Sequence, residues 1–246
     1  MPDRADAQRV APIQARDRVA VVDILRGVAL LWILIENMSG FSGRPYNWPS
    51  ASGLVDRALL VLILFFLQAK SYSLLSFLFG WGMAVQMDRV EAHGGRVTRL
   101  YARRLLALLV LGVLHGTLIW SGDVLTLYAF VALLVLLVRK WAPRSILVAA
   151  ICSFLLVMVV YLPGMPMEAF RRWYDQATSF LRVARSVGDA YAGGTFKAIT
   201  LIRIHDYLAQ NSWLVYYLGS VLGMFLLGHY AGKREFLRDL GRNRPF

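Results

Sequence analysis

A single cysteine, Cys152, stands in 246 residues, and it lies inside an apolar run. One thiol excludes an intrachain disulfide and a cysteine-built metal site. Charge is scarce too: Asp, Glu, Lys and Arg make up 17% of the chain, with only 15 acidic residues and 4 histidines. So little charge excludes an ordinary soluble domain. Zinc-ligand spacings, Walker loops, dinucleotide fingerprints and serine-hydrolase elbows are all missing, so neither a metal nor a permanently bound cofactor is expected. There is no internal repeat and no low-complexity tract. The basic stretch with Arg4, Arg9, Arg16 and Arg18 is followed by no small-residue cleavage site, which makes the first apolar segment an uncleaved span.

What is present is apolar: 58% of the residues are hydrophobic. The length accommodates about six crossings of ~20 residues with their loops. The fold class is therefore all-α, a polytopic transmembrane helical bundle of about six spans plus an amphipathic surface helix, with the lipid bilayer as its partner. A formal charge of +12 raises the question of nucleic acid. The basic residues sit between apolar runs and build no RNA or DNA module, so no nucleic-acid partner is expected; basic cytoplasmic loops explain the charge.

Residues 1–18 form a cytoplasmic tail and residues 19–163 a membrane core. The first span runs from Val19 to Met38, and residues 39–57, with Gly40, Gly43, Pro45, Pro49 and Gly53, read as a loop. Leu54 to Met87 is almost wholly apolar. As one helix it would measure ~51 Å against a hydrocarbon core of ~30 Å, so it must break. Counting both halves as spans would put Arg89, Arg96, Arg99, Arg103 and Arg104 outside, against the positive-inside rule. One crossing, Ser71 to Met87, is counted, with 58–69 lying at or dipping from the outer face.

The loop 88–104 is then cytoplasmic. Leu105 to Trp120 runs outward, Ser121 to Asp123 turns, Val124 to Val138 returns, and Arg139, Lys140 and Arg144 mark another inner loop before Ser145 to Leu162. In the external segment 164–211, apolar residues from Met167 to Val187 recur at spacings of three and four with arginines between them, an amphipathic helix suited to a membrane surface. A second, weaker one is expected over 196–210. Residues 212–246 hold the last span, Trp213 to Tyr230, and a basic tail, so both termini face the cytoplasm.

An ionisable side chain within lipid marks a functional site by default. His115 lies five residues before Trp120, ~7 Å from the outer end of its helix. Imidazole suits a general base or proton relay near neutral pH; the alternative is a packing histidine, with Gly112 and Gly116 allowing close helix approach. Asp123 either orients that imidazole or caps the returning helix. Asp23 and Arg26 lie three apart on one helical face and neutralise each other, or Arg26 faces the phosphates of a cofactor. Glu36 and Asn37 fall at the level of His115 and are candidates for substrate binding in an outer cavity. Lys70 binds an anionic group there or snorkels to headgroups. His93, His205 and His229 read as no ligand.

Asp23-Ile-Leu-Arg26-Gly27 with Asn37, Lys70 with Leu75-Ser-Phe-Leu-Phe-Gly80-Trp-Gly82, and His115-Gly116 with Trp120-Ser-Gly122-Asp123 and Tyr128-Ala129 resemble the YeiB family of bacterial inner-membrane proteins, as do Tyr191-Ala-Gly193-Gly194 and Arg203 more loosely. The likeness covers about residues 17–232. The Asp-x-x-Arg-Gly signature is similar to that of heparan-alpha-glucosaminide N-acetyltransferase and related transmembrane acyltransferases, which move acyl groups from cytoplasmic acyl-CoA to sugars beyond the membrane. The resemblance implies an acyl-CoA donor near Arg26 and Asp23 and a glycan or small-molecule acceptor. It assigns His115 no role, because the acetyltransferase histidine belongs to the first outer loop and residues 39–57 contain none. Family members continue with further helices where this chain ends in a basic tail, which implies a truncated chain or helices supplied by another polypeptide or a second copy. A proton-coupled transporter and a helical scaffold remain open as alternatives.

Overall fold

The computed structural model describes residues 20–41, 53–55, 70–160 and 193–234. The 58–69 segment and the amphipathic helix of residues 167–187 lie outside them. The described residues are helical, with no strand among them. In chain order they form α1 (Ala20–Phe41), α2 (Lys70–Ala92), α3 (Val97–Leu114), a π-helical turn (His115–Ile119), α4 (Leu125–Val138), α5 (Pro143–Val160) and α6 (Phe196–Lys233).

Three boundaries differ from the sequence expectation. α1 continues to Phe41, into the stretch read as loop. α2 does not stop at Met87 but runs through Asp88, Arg89 and Glu91 to Ala92, and the supposed inner loop shrinks to a four-residue turn, 93–96. Charge ends an apolar run without ending a helix, since Glu and Arg are good helix formers. Gly94 ends it instead. With φ +69° it takes the left-handed conformation, and Gly95 N–H donates to Val90 O at 2.8 Å while Gly94 N–H donates to Glu91 O at 3.0 Å. That paired closure satisfies the last carbonyls of the helix, and a glycine accepts the positive φ without a Cβ penalty. Third, α6 is one helix of 38 residues where a weaker helix and a separate span were expected.

Two compact units divide the chain. The first holds residues 1–99, 141–147 and 224–246, the second residues 100–140 and 148–223. In the first unit α1, α2 and the end of α6 bury Val22, Leu78, Trp81 and Ala231, with Leu25, Leu74, Phe77 and Val85 packed around them. Backbones come close there: a Cβ on Gly80 would collide with the carbonyl of Phe225, and one on Gly228 with that of Phe77. Such glycine seams let helices associate by close packing, as they do in membranes. The Phe79 and Phe225 rings lie beside the seam, 5.1 Å apart. Lys233 reaches back to donate to Trp141 O at 3.0 Å.

In the second unit Tyr101, Leu105, Gly112 and Gly116 form the buried line of α3 and its π-helical extension, at helical spacing. Gly219 and Gly223 of α6 admit Val157 and Phe154 of α5. The opposite face of α3 is covered by nothing: Leu106, Val110, Leu111, Val113, Leu114, Leu118 and Ile119 are all exposed. Among the described residues, Val97–Ile119 is the one helical stretch long and apolar enough to cross a membrane, by length and composition. Only 17% of its most apolar eighteen residues are buried, whereas the core helix of a soluble protein would be mostly buried. Leu125–Val138 and Pro143–Met158 are apolar but shorter.

Candidate functional site

His115 opens the π-helical turn, where Trp120 N–H donates to His115 O at 2.8 Å across five residues rather than four. The local sequence favours this widening. Thr117 Oγ1 donates back to Val113 O at 2.7 Å, which competes with the regular ladder, and Gly116 beside it adds backbone freedom. Wide turns of this kind recur at functional sites. The carbonyl of Leu118, in the last turn, takes a hydrogen bond from the Arg203 guanidinium.

After Trp120 the chain turns so that Asp123 lies beside the imidazole. His115 Nδ1 and Asp123 Oδ1 are 3.1 Å apart. The Asp123 side chain is 1% exposed, that of His115 38%. The second carboxylate oxygen accepts from Thr126 N–H at 3.0 Å and from Thr126 Oγ1 at 2.9 Å. Asp123 therefore serves both roles that the sequence left open, with one oxygen for the first turn of α4 and the other for the imidazole. A buried carboxylate needs this density of donors. As an acceptor it also sets the histidine tautomer: Nδ1 carries the hydrogen and Nε2 keeps its lone pair, the arrangement of a base.

Behind Asp123 the site continues into α6. Tyr207 Oη lies 2.7 Å from Thr126 Oγ1, across 81 residues of sequence. The Thr126 hydroxyl has one hydrogen, and the carboxylate can only accept it, so Tyr207 donates. Gly112 and Gly116 make room for this packing: a Cβ on Gly112 would lie 2.6 Å from Thr126 Oγ1, and one on Gly116 would enter the Tyr207 ring. Thr126 and Tyr207 were not singled out from the sequence. Arg203, four residues before Tyr207 and so on the same helical face, entered there only through a loose family likeness.

The remaining candidates belong to the first unit. Arg26 Nη1 donates to Asp23 Oδ1 at 3.4 Å and Nη2 to Leu78 O at 3.4 Å. With the two side chains 39% and 51% exposed, this is a weak pair, worth about 0–1 kcal/mol by the behaviour of exposed ion pairs. Gly82 keeps the space open for the guanidinium, since a Cβ there would lie 2.6 Å from Arg26 Nη2. Glu36 accepts from the buried Ser71 Oγ at 2.7 Å, a partner that sequence reading missed. Asn37 is half-buried beside it in sequence, and Lys70 is exposed as the first residue of α2. Among the described residues no cluster of three His, Cys, Asp or Glu could hold a metal ion.

A helical chain with one membrane-type apolar helix, which carries a histidine backed by a buried carboxylate, defines the class. No family model matches it, and no solved structure does. It is 35% identical to the uncharacterised protein YxaH of Bacillus subtilis over 253 residues, covering 95% of this chain and 62% of that protein. It is 31% identical to the uncharacterised protein YeiB of Escherichia coli over 176 residues, covering 67% and 44%. An uncharacterised 39.9 kDa protein of the amylase 3′ region in Bacillus acidopullulyticus is 35% identical over 125 residues, covering 51% and 35%. These homologues support a YeiB-like family for the chain, which spans less than two thirds of each of them.

Proposed function

We propose that the chain is the core of a multi-pass helical bundle in the bacterial inner membrane, with both termini cytoplasmic, and that His115 is the general base of an acyl transfer to an extracytoplasmic acceptor. The carrying observation is the 3.1 Å contact of His115 Nδ1 with a carboxylate that is itself buried and held by Thr126. Nε2 of His115 takes the proton from an acceptor hydroxyl or amine. The freed oxygen or nitrogen attacks the acyl thioester carbonyl, the carbon–sulfur bond breaks, and the thiolate leaves with the proton that the imidazolium returns. Asp123 stabilises the imidazolium in between. Arg26, with Asp23 beside it, is assigned to the anionic end of an acyl-CoA donor, because guanidinium matches phosphate geometry. Glu36, Asn37 and Lys70 are assigned to the acceptor, a glycan or other polar small molecule. The uncovered apolar face of α3 supports the membrane setting, since a patch of that extent in water marks an interaction surface.

The test uses the chain in lipid nanodiscs with acetyl-CoA and a membrane-derived glycan pool. Release of free CoA is expected, with His115→Ala about 10³-fold slower, as for loss of a general base. No CoA release, or equal release from the variant, would sink the acyl-transfer reading.

One observation favours a second reading, proton-coupled transport: the hydroxyls of Thr126 and Tyr207 extend the His115–Asp123 pair into a row of exchangeable protons. Solute uptake into proteoliposomes that requires a pH gradient, and proceeds without an acyl donor, would decide for it.

A further inference from the structure

We infer that Thr126 and Tyr207 are positioning residues that lock His115 in the tautomer with hydrogen on Nδ1. The chain of reasoning begins at Asp123. A carboxylate with one oxygen unheld can rotate and offer either edge, or swing from the imidazole altogether. Here both Thr126 donors converge on Oδ2, at 3.0 and 2.9 Å, which leaves Oδ1 alone to face Nδ1 at 3.1 Å. The backbone donor is a fixed part of α4. The hydroxyl donor is a rotor, and its hydrogen could turn elsewhere.

Tyr207 removes that freedom. Its O–H donates to Thr126 Oγ1 at 2.7 Å, which directs the threonine hydrogen toward the carboxylate. Donors in series also polarise one another in a buried setting. Both residues are buried, Thr126 at 7% exposure and Tyr207 at 6%, so water does not substitute for either. Gly116 admits the Tyr207 ring against the π-helical turn that carries His115, which ties the placement of the hydroxyl to the placement of the base.

The inference goes beyond the acyl-transfer reading, because it concerns the resting protein and holds whichever substrate is used. Its readout is spectroscopic. The full chain, labelled with ¹⁵N-histidine and held in lipid nanodiscs, is measured at alkaline pH, where imidazole is neutral; His115→Gln assigns the His115 signals among the 4 histidines. In water neutral imidazole prefers hydrogen on Nε2. The wild type is expected to show the reverse at His115. Thr126→Val keeps the shape without the hydroxyl and should lower the Nδ1–H to Nε2–H ratio about tenfold, and Tyr207→Phe about threefold, as for loss of ordinary hydrogen bonds. Thr126→Ser should restore the wild-type ratio.

An unmoved His229 signal reports that each variant is folded. If Thr126→Val does not fold, Tyr207→Phe and Thr126→Ser carry the comparison. Wild-type tautomers in folded Tyr207→Phe, or an Nε2–H wild type, would overturn the inference. CoA release by the wild type tests the acyl-transfer reading separately.

Discussion

Asp123→Asn is expected to lower CoA release by on the order of 10³- to 10⁴-fold while costing the fold only about 1 kcal/mol. The amide has one acceptor oxygen. Thr126 presents two donors to the Oδ2 position, so the amide oxygen settles there and the NH₂ faces His115. An NH₂ beside Nδ1 needs an acceptor, which forces the imidazole hydrogen onto Nε2 and removes the base. The shape is kept, the cap on α4 is kept, and the chemistry is lost. Turnover and thermal unfolding measured on the same preparation separate these effects. Wild-type turnover in a folded Asp123→Asn protein would show that the carboxylate does not orient the base.

Gly80→Ala and Gly228→Ala are each expected to destabilise the first unit by about 3 kcal/mol, the upper part of the range for overpacking. In both cases the added methyl meets backbone rather than the movable tip of a side chain: the carbonyl of Phe225 for Gly80, that of Phe77 for Gly228. The helix axes must separate, which exposes Trp81 and Leu78 along with the seam. Because either methyl forces that separation, the double variant should cost well under the sum of the two. Unfolding in mixed micelles measures all three proteins. Strict additivity would mean that each clash relaxes locally and that the seam is no cooperative unit.

The helical class was legible in composition, and the reach of Asp123 toward His115 in the short turn between them. Spacing of eight residues across a turn is information that a local reading captures. What hydropathy could not give was the extent of α2 and α6. It detects segments that lipid tolerates, whereas a helix persists through Asp88, Arg89 and Glu91, and through Arg203 and Asp206, whose side chains cost it little in propensity. Thr126 and Tyr207 were illegible for another reason. Nothing in either neighbourhood reports a partner 81 residues away, and a threonine two positions into a helix reads as ordinary capping chemistry. Gly112 and Gly116 were the available signal: two small residues one turn apart, flanking the histidine side, announced that something bulky approaches, though not what.

A π-helical turn is an α-helical turn that holds one residue too many. From His115 to Ile119 the protein carries such a surplus, and the residues after it are phased by it. Losing one residue from Gly116 to Ile119 would restore the narrower spiral and rotate everything downstream by about 100°, carrying Asp123 off the imidazole edge. Substitutions along this stretch change side chains, but a single-codon deletion changes the angular address of the carboxylate. The interval between His115 and Asp123 is thus a ruler whose length matters to one residue, more than the identity of most residues inside it.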